Sequence, residues 1–491
     1  MSEFAGPRGG KTSKFPAAGR LALGAVLILG ALGGSSRAQG GGASETKSNP
    51  TADKLPAAEH KISPKEEAEL FRSVDDILQF ASTETGLPKR QSVGRRLVSR
   101  DEVVAYLTKH MDEDEDSQRF RRSEVVLKKF GLIPKDFDLR PFLIGLLREQ
   151  IAGYYDPATK TVNLLDWVAP EQQKPVLAHE LTHALQDQKV DMQKWMKGTE
   201  TDLIKVESPT SEDFELDEAA EARQAVVEGQ ATVSLIDYQL IPAGKSVAKS
   251  PQIVESIRES MLIGTADSGQ YQKAPLFLKE AITFPYRYGL GFVGEVVVKR
   301  GKAGANALFD HPPVTTRQIM EPETYLSGEK LSPMPVVDFK RLFKDYETVD
   351  VGGFGEFDTF MLVGQLASRV EAQKIYPAWR GGYYFAVRPK GKPAAPLGLL
   401  YVSRWASAEK AAQFAAIYAK GLTQRYLRAV EVGVEDSDPK EDFSGGRTWN
   451  TEEGPVLIET HTDLMVVVES LEGAGRLAAA VFGAPAQSGT P

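Results

Sequence analysis

The chain has 491 residues, of which 42% are hydrophobic and 26% charged, with a net charge of −8, six histidines and no cysteine. That length suits two or three domains at roughly 150 residues each, with ample material for a core. The acidic balance, without a dominant basic patch, argues against a nucleic-acid partner. Without cysteine there are no disulfides, iron–sulfur clusters, thiolate zinc sites or lipid-modified cysteine anchors, so any metal site must use histidine and carboxylates.

Arg8, Lys11, Lys14 and Arg20 precede the apolar run Leu21–Leu32, and Ser36 and Ala38 supply small residues for cleavage after Ala38. Residues 1–38 read as a signal peptide, which implies an exported chain, periplasmic or extracellular. An uncleaved N-terminal anchor is the alternative. The run is too short for a comfortable span, and later apolar runs are strand-sized, so no transmembrane domain is expected in the mature chain. Residues 39–61, rich in Gly, Ser and polar residues, read as a flexible linker.

Order is expected from Ser63. That residue, with Pro64 next and Glu66 three positions on, has capping-box spacing, and Leu70, Val74, Ile77 and Leu78 form a helical stripe. A second helix is expected near Arg100–His110, and the acidic run Met111–Ser117 reads as a solvated loop. Two more helices are expected within Arg121–Pro134 and Arg140–Gly153. A hairpin follows, with Tyr154–Tyr155 and Val162–Leu165 as arms around Asp156–Thr159.

Next comes "VLAHELTHALQDQ", Val176–Gln188. On a helix, His179 and His183 lie on nearly one face and can aim two imidazoles at one ion. Glu180, one step round, can reach a water there without binding the ion. A zinc ion lowers the pKa of a water to about 7, and such a carboxylate can take the proton. The competing reading is an ordinary helix with two unremarkable histidines. A catalytic zinc needs a third protein ligand. The next long helix offers Glu215, Asp217, Glu218, Glu221 and Glu228. Glu228 is chosen because it sits among apolar residues, where a buried carboxylate needs a partner. Gly229 beside it would permit close helix approach, and Glu221 is the runner-up.

Helical patterns then cover Glu215–Leu240, Lys249–Leu262, Ala274–Arg300 and a short stretch near Thr315–Met320. Tyr286 and Tyr288 in the third read as core packing, with a hydroxyl donated to an oxyanion as the alternative. From residue 345 the texture is that of a small α+β domain. It has a helix at Phe357–Val370, strands at Trp379–Pro389 and Leu397–Trp405, and a helix at Ser407–Leu422. Strand-like runs within Gly454–Ser470 and a helix at Gly473–Gly483 complete it. Trp379 and Trp405 read as core or interface aromatics, and His60, His110 and His461 as surface residues.

The motif His179–His183, with a glutamate on the next long helix, resembles the gluzincin metallopeptidases. Glu228–Ala231 (E-x-x-A) is similar to the third-ligand motif of HtpX-like and CAAX-prenyl-protease-like peptidases, and His311–Arg317 ("HPPVTTR") to the His-Pro…Arg motif that follows it. The hairpin before the metal helix resembles the edge strand lining their cleft. The resemblance covers about residues 140–330. Thr232 departs from it, since that family usually has aspartate there. The membrane spans of many such relatives are missing, so the soluble periplasmic kind is the nearer analogue.

The resemblance implies an α+β, mostly helical fold. A zincin-like metallopeptidase domain over residues 62–344, with a small sheet and an edge hairpin, precedes a small α+β domain over 345–491. It implies one zinc ion (Zn2+) per chain on His179, His183 and Glu228, with Glu180 activating water. His311 would approach the metal as an inhibitory or catalytic group, unless it merely caps a turn. Arg317 would hold the loop or meet the substrate, unless it forms an ordinary salt bridge. The strand carrying Tyr154 and Tyr155, or its partner Val162–Leu165, would bind an extended peptide along its edge. The expectation is an exported zinc endopeptidase acting on protein or peptide. A periplasmic chaperone, assembly or binding protein with a silent or regulatory metal site is the rival, and a hydrolase of non-peptide substrates a third reading. Under any of them the C-terminal domain could dock partners.

Overall fold

A computed structural model describes residues 60–112, 114–150, 153–197, 203–206, 208–264, 269–433 and 443–484. The expected signal peptide and residues 39–59 of the linker lie outside them. The fold is mixed α+β and mostly helical.

Helix α1 (Pro64–Thr85) starts as its sequence dictates: Glu66 accepts from the Ser63 N–H at 2.8 Å while the Ser63 hydroxyl accepts from the Glu66 N–H. Its buried face includes Leu70, Val74, Ile77 and Leu78. Strand β1 (Gly94–Val98) follows, which the sequence reading missed. The acidic run is not a loop. Its described residues are helical: Met111 and Asp112 belong to α2 (Arg100–Asp112), and Asp114–Ser117 to α3 (Asp114–Phe130). After α4 (Leu139–Gln150), strands β2 (Tyr154–Asp156) and β3 (Thr161–Leu165) form the expected hairpin. Strand β1 joins β3 in parallel, so the sheet order is β1-β3-β2. That order corrects one expectation. In the Val162–Leu165 arm, Val162 and Asn163 are paired on both sides and Leu164 and Leu165 with β1, so β3 is the middle strand and β1 and β2 are the edges.

Helix α5 (Pro170–Val190) packs across α1 and the sheet, and Leu177, Leu181 and Leu185 meet Leu70, Val74, Leu78 and Val162 in one apolar cluster. Its opposite face is covered by α6 (Ser211–Leu240), capped by Thr210 and Asp213. After α7 (Gln252–Gly264) comes α8 (Leu276–Ala307), whose helical path breaks at Gly301, φ 66°. Helices α6 and α8 touch backbone to backbone. A Cβ on Gly229 would lie 2.3 Å from the Gly289 carbonyl oxygen, and one on Gly289 equally close to that of Ala225. The short α9 (Thr316–Met320) leads towards the second sheet.

That sheet has seven strands: β4 (Tyr346–Gly353), β5 (Trp379–Pro389), β6 (Gly398–Trp405), β7 (Ala429–Glu431), β8 (Arg447–Thr451), β9 (Gly454–His461) and β10 (Leu464–Glu469). Their order is β4-β5-β6-β10-β9-β8-β7, antiparallel throughout. Side chains alternate between its faces, as the period of two requires. Leu399, Tyr401, Met465 and Val467 face α11 (Ala408–Arg425), numbered after α10 (Glu356–Leu366). Leu400, Val402, Val466 and Val468 face α12 (Ala474–Phe482). The first of these faces belongs to the same buried cluster as α3, α6 and α8, so the apolar core is continuous across residue 345. Trp379 and Trp405 are 2% and 1% exposed, as core aromatics should be. Among the described residues, no helix is long and apolar enough to cross a membrane.

Candidate metal centre

Helices α5 and α6 bring His179, His183 and Glu228 together, with ligand atoms all within 4.8 Å of one another. His179 Nε2 lies 3.0 Å from His183 Nε2 and 3.1 Å from Glu228 Oε2, and His183 Nε2 lies 3.4 Å from the same oxygen. Three atoms bonded at 2.0–2.1 Å to one tetrahedral ion stand about 3.3 Å apart, so this spacing suits a single small cation. Two neutral imidazoles and one carboxylate are a borderline-soft nitrogen and oxygen donor set. With no ion bound, burial opposes ionisation of Glu228, yet the charge of a protonated His183 and hydrogen bonds from both rings hold its carboxyl down to about 2. Its second oxygen accepts from the Gln224 amide at 3.1 Å. The other carboxylates weighed on α6 are not part of the cluster. Asp217 accepts from the Gly353 N–H, and Glu218 from the Thr316 N–H at 2.9 Å.

Glu180 is 2% exposed, beside the cluster but not in it. One oxygen accepts from the Tyr155 N–H at 2.8 Å, and the other is buried without a partner. Burial lifts its carboxyl to about 7. The N–H it takes is the one strand β2 turns away from β3, so the free edge of the sheet and the carboxylate are neighbours. The side chains of β2 point elsewhere. The Tyr155 hydroxyl donates to Asp187 at 2.7 Å, and Tyr154 stacks on Tyr106 at 4.7 Å. Both tyrosines are buried, so only their main chain is placed to meet a bound chain.

Tyr286 enters the site from α8, contrary to the preferred reading of it as core packing alone. Its ring stacks on His179 with centroids 6.2 Å apart, and its buried hydroxyl lies beside the Glu228 carboxylate. Burial and the nearby Glu228 and Glu180 push its ionisation well up, so it stays a donor. Thr232, at the position where the resembled family carries aspartate, is fully buried with its hydroxyl unpartnered, so it does not orient a ligand. Gln186, which sequence reasoning overlooked, does touch the cluster. Its Oε1 lies 2.9 Å from His183 Nδ1. The available signal was a polar residue three positions after His183 on a helix otherwise expected to be buried.

Two expected site residues are not brought in. His311 is exposed, and its carbonyl accepts from the Tyr325 hydroxyl at 2.6 Å. The preceding Asp310 pairs with Lys189, about 9 Å along α5 from His183, so the turn sits at the helix end rather than over the ligands. Arg317 is buried and spent on structure. It pairs with Glu356 at 2.7 Å, Glu321 at 2.7 Å and Glu329 at 3.3 Å, and also donates to the Pro377 carbonyl. Those partners hold the guanidinium among the three carboxylates.

Compared with protein-family models, with curated proteins and with solved structures, the chain matches none.

Proposed function

We propose that the chain is an exported zinc-dependent endopeptidase that hydrolyses peptide bonds in protein or peptide substrates with metal-activated water. One observation carries this reading: a buried His179–His183–Glu228 cluster sits beside a separate carboxylate, Glu180, with one unpartnered oxygen. When bound there, zinc supplies a Lewis acid and a water acidic near neutral pH. Glu180 takes the water's proton on its free oxygen and passes it to the leaving amine. The tyrosine hydroxyl of Tyr286 donates to the oxygen that gains charge as the carbonyl is attacked. The edge of β2 lines up an extended chain through main-chain hydrogen bonds, which selects little by side chain. The basic and apolar N-terminal run supports export, and the C-terminal sheet is the candidate surface for a partner.

Glu180→Gln tests this: peptide cleavage should vanish while one zinc per chain stays bound. A purified wild type without stoichiometric metal sinks the reading. The burial of the centre favours a second reading. With His179, Glu180, His183 and Glu228 at 0, 2, 4 and 0% exposure, a silent or regulatory metal site in a chaperone or assembly protein accounts for it equally well. Digestion of casein or unfolded outer-membrane-type protein, with and without chelator, separates the two. Chelator-sensitive cleavage supports the peptidase, and zinc binding without cleavage supports the silent site.

A further inference from the structure

Gln186 lies three residues after His183 on α5 and is completely buried. Its amide has three neighbours. Oε1 is 2.9 Å from His183 Nδ1, and Nε2 donates to the Val227 carbonyl and to Gln230 Oε1, each at 3.0 Å. Gln230, also buried, continues the chain by donating to Asn306 Oδ1 at 3.1 Å, and Asn306 donates to the Thr85 carbonyl at 3.1 Å. The line thus runs from α5 through α6 and α8 to the last residue of α1.

Both ends of this chain are backbone carbonyls, which only accept. That settles the direction of every amide in it. Turning Asn306 over would set its oxygen against the Thr85 oxygen. Turning Gln230 over would set its oxygen against Asn306 Oδ1. Turning Gln186 over would set its oxygen against Val227. Each such contact brings two acceptors together, and at Val227 it does so fully buried, at a full desolvation cost. The atom facing His183 Nδ1 is therefore an oxygen, and it needs a proton on that nitrogen.

We propose that Gln186 is the positioning residue of the metal centre: its amide oxygen holds a proton on His183 Nδ1 and thereby turns Nε2 towards Glu228 and His179. The role is one that a carboxylate or backbone carbonyl often takes behind a metal-bound histidine. Here a neutral amide takes it, anchored by two further amides and adding no charge to the four-helix junction. Thr232, unpartnered, leaves that task unfilled on α6. The inference rests on the metal reading above, and its test keeps the two apart.

The first measurement is zinc affinity by competition with a chromogenic chelator. Gln186→Leu, which accepts no proton, should weaken binding about 10–100-fold. Gln186→Glu, which accepts the same proton but loses the donor to Val227, should stay within a few-fold of wild type while melting at a lower temperature. Affinity that instead follows melting temperature across the two variants overturns the proposal, as does wild-type affinity in Gln186→Leu. The second is the histidine nitrogen NMR of metal-free wild type. At alkaline pH, where the ring carries a single proton, finding that proton on His183 Nδ1 rather than Nε2 supports the relay, and finding it on Nε2 overturns it even if no variant folds. A wild type that holds no zinc sinks the metal reading, and the Nδ1 proton then decides the relay by itself.

Discussion

The hydroxyl of Tyr286 is the clearest case of a residue whose role depends on what surrounds it. A tyrosine within an apolar helical run reads as packing, because sequence carries no record of which ring ends at which metal ligand. In the structure the ring lies on His179 and the buried hydroxyl beside Glu228. Removing that hydroxyl costs the fold at most its one contact, with Glu228 in the cluster. Tyr286→Phe should therefore keep its melting temperature and its zinc while losing about 100-fold in kcat, as for removal of one oxyanion donor. Unchanged kcat would return Tyr286 to the core. His311 and Arg317 show the opposite failure. Their motif spacing is real, but one side chain is exposed and the other is held by three carboxylates.

At the scale of elements, the centre depends on how closely three helices cross. Helix α5 sets His179 and His183 side by side by its own period, which is why the pair was legible in sequence. Helix α6 must then approach within ligand distance, and Gly229, adjacent to Glu228, lets it lie directly on α8. Gly229→Ala places a methyl 2.3 Å from the Gly289 carbonyl oxygen, so the helices must part. The expected result is a loss of about 1–3 kcal/mol in stability, measured by urea unfolding, with weaker zinc binding because Glu228 moves with α6. Unaltered zinc affinity would show that the crossing does not set the ligand geometry. Strands β1, β4, β7 and β8 were not anticipated. Strand β1 bears adjacent arginines and pairs with β3, 67 residues on. Strands β4 and β7 are the edges of the larger sheet, and β7 and β8 are joined by the Glu431–Arg447 pair. Edge strands carry charge and alternate weakly, so their pattern is faint.

Across the whole molecule, a buried charge network ties the helical part to the seven-stranded sheet. Glu469 on β10 is fully buried, accepts from Tyr418 and Tyr426, pairs with Arg425, and lies 3.5 Å from Lys129 on α3. Burial opposes its charge, but Arg425 and Lys129 prevail and hold its carboxyl at about 2, against 4.5 in an unfolded chain. A carboxyl depressed on folding stabilises above its unfolded value, and that contribution fades as pH falls from 4.5 towards 2. The shift corresponds to about 3 kcal/mol. Wild type should therefore exceed Glu469→Gln in stability at neutral pH by an amount that shrinks through that acid window. Thermal melts of both proteins at several pH values measure it, and a constant gap would show that Glu469 does not carry the charge linkage.

What the sequence determined by itself was local. The α5 pair and its adjacent glutamate follow from helical period, the start of α1 from its capping box, and the hairpin from its turn. The strands Trp379–Pro389 and Gly398–Trp405 follow from their apolar runs. These need only neighbours within a few residues, so pattern suffices. Tertiary structure decided the rest. It brought Glu228, already singled out by its apolar neighbours, onto the α5 pair, set β1 against β3, and directed Tyr286 and Gln186 to the cluster. It also kept His311 and Arg317 away. Each of those outcomes depends on helices and strands distant in the chain meeting within a few ångströms, and close packing rather than local propensity sets such distances.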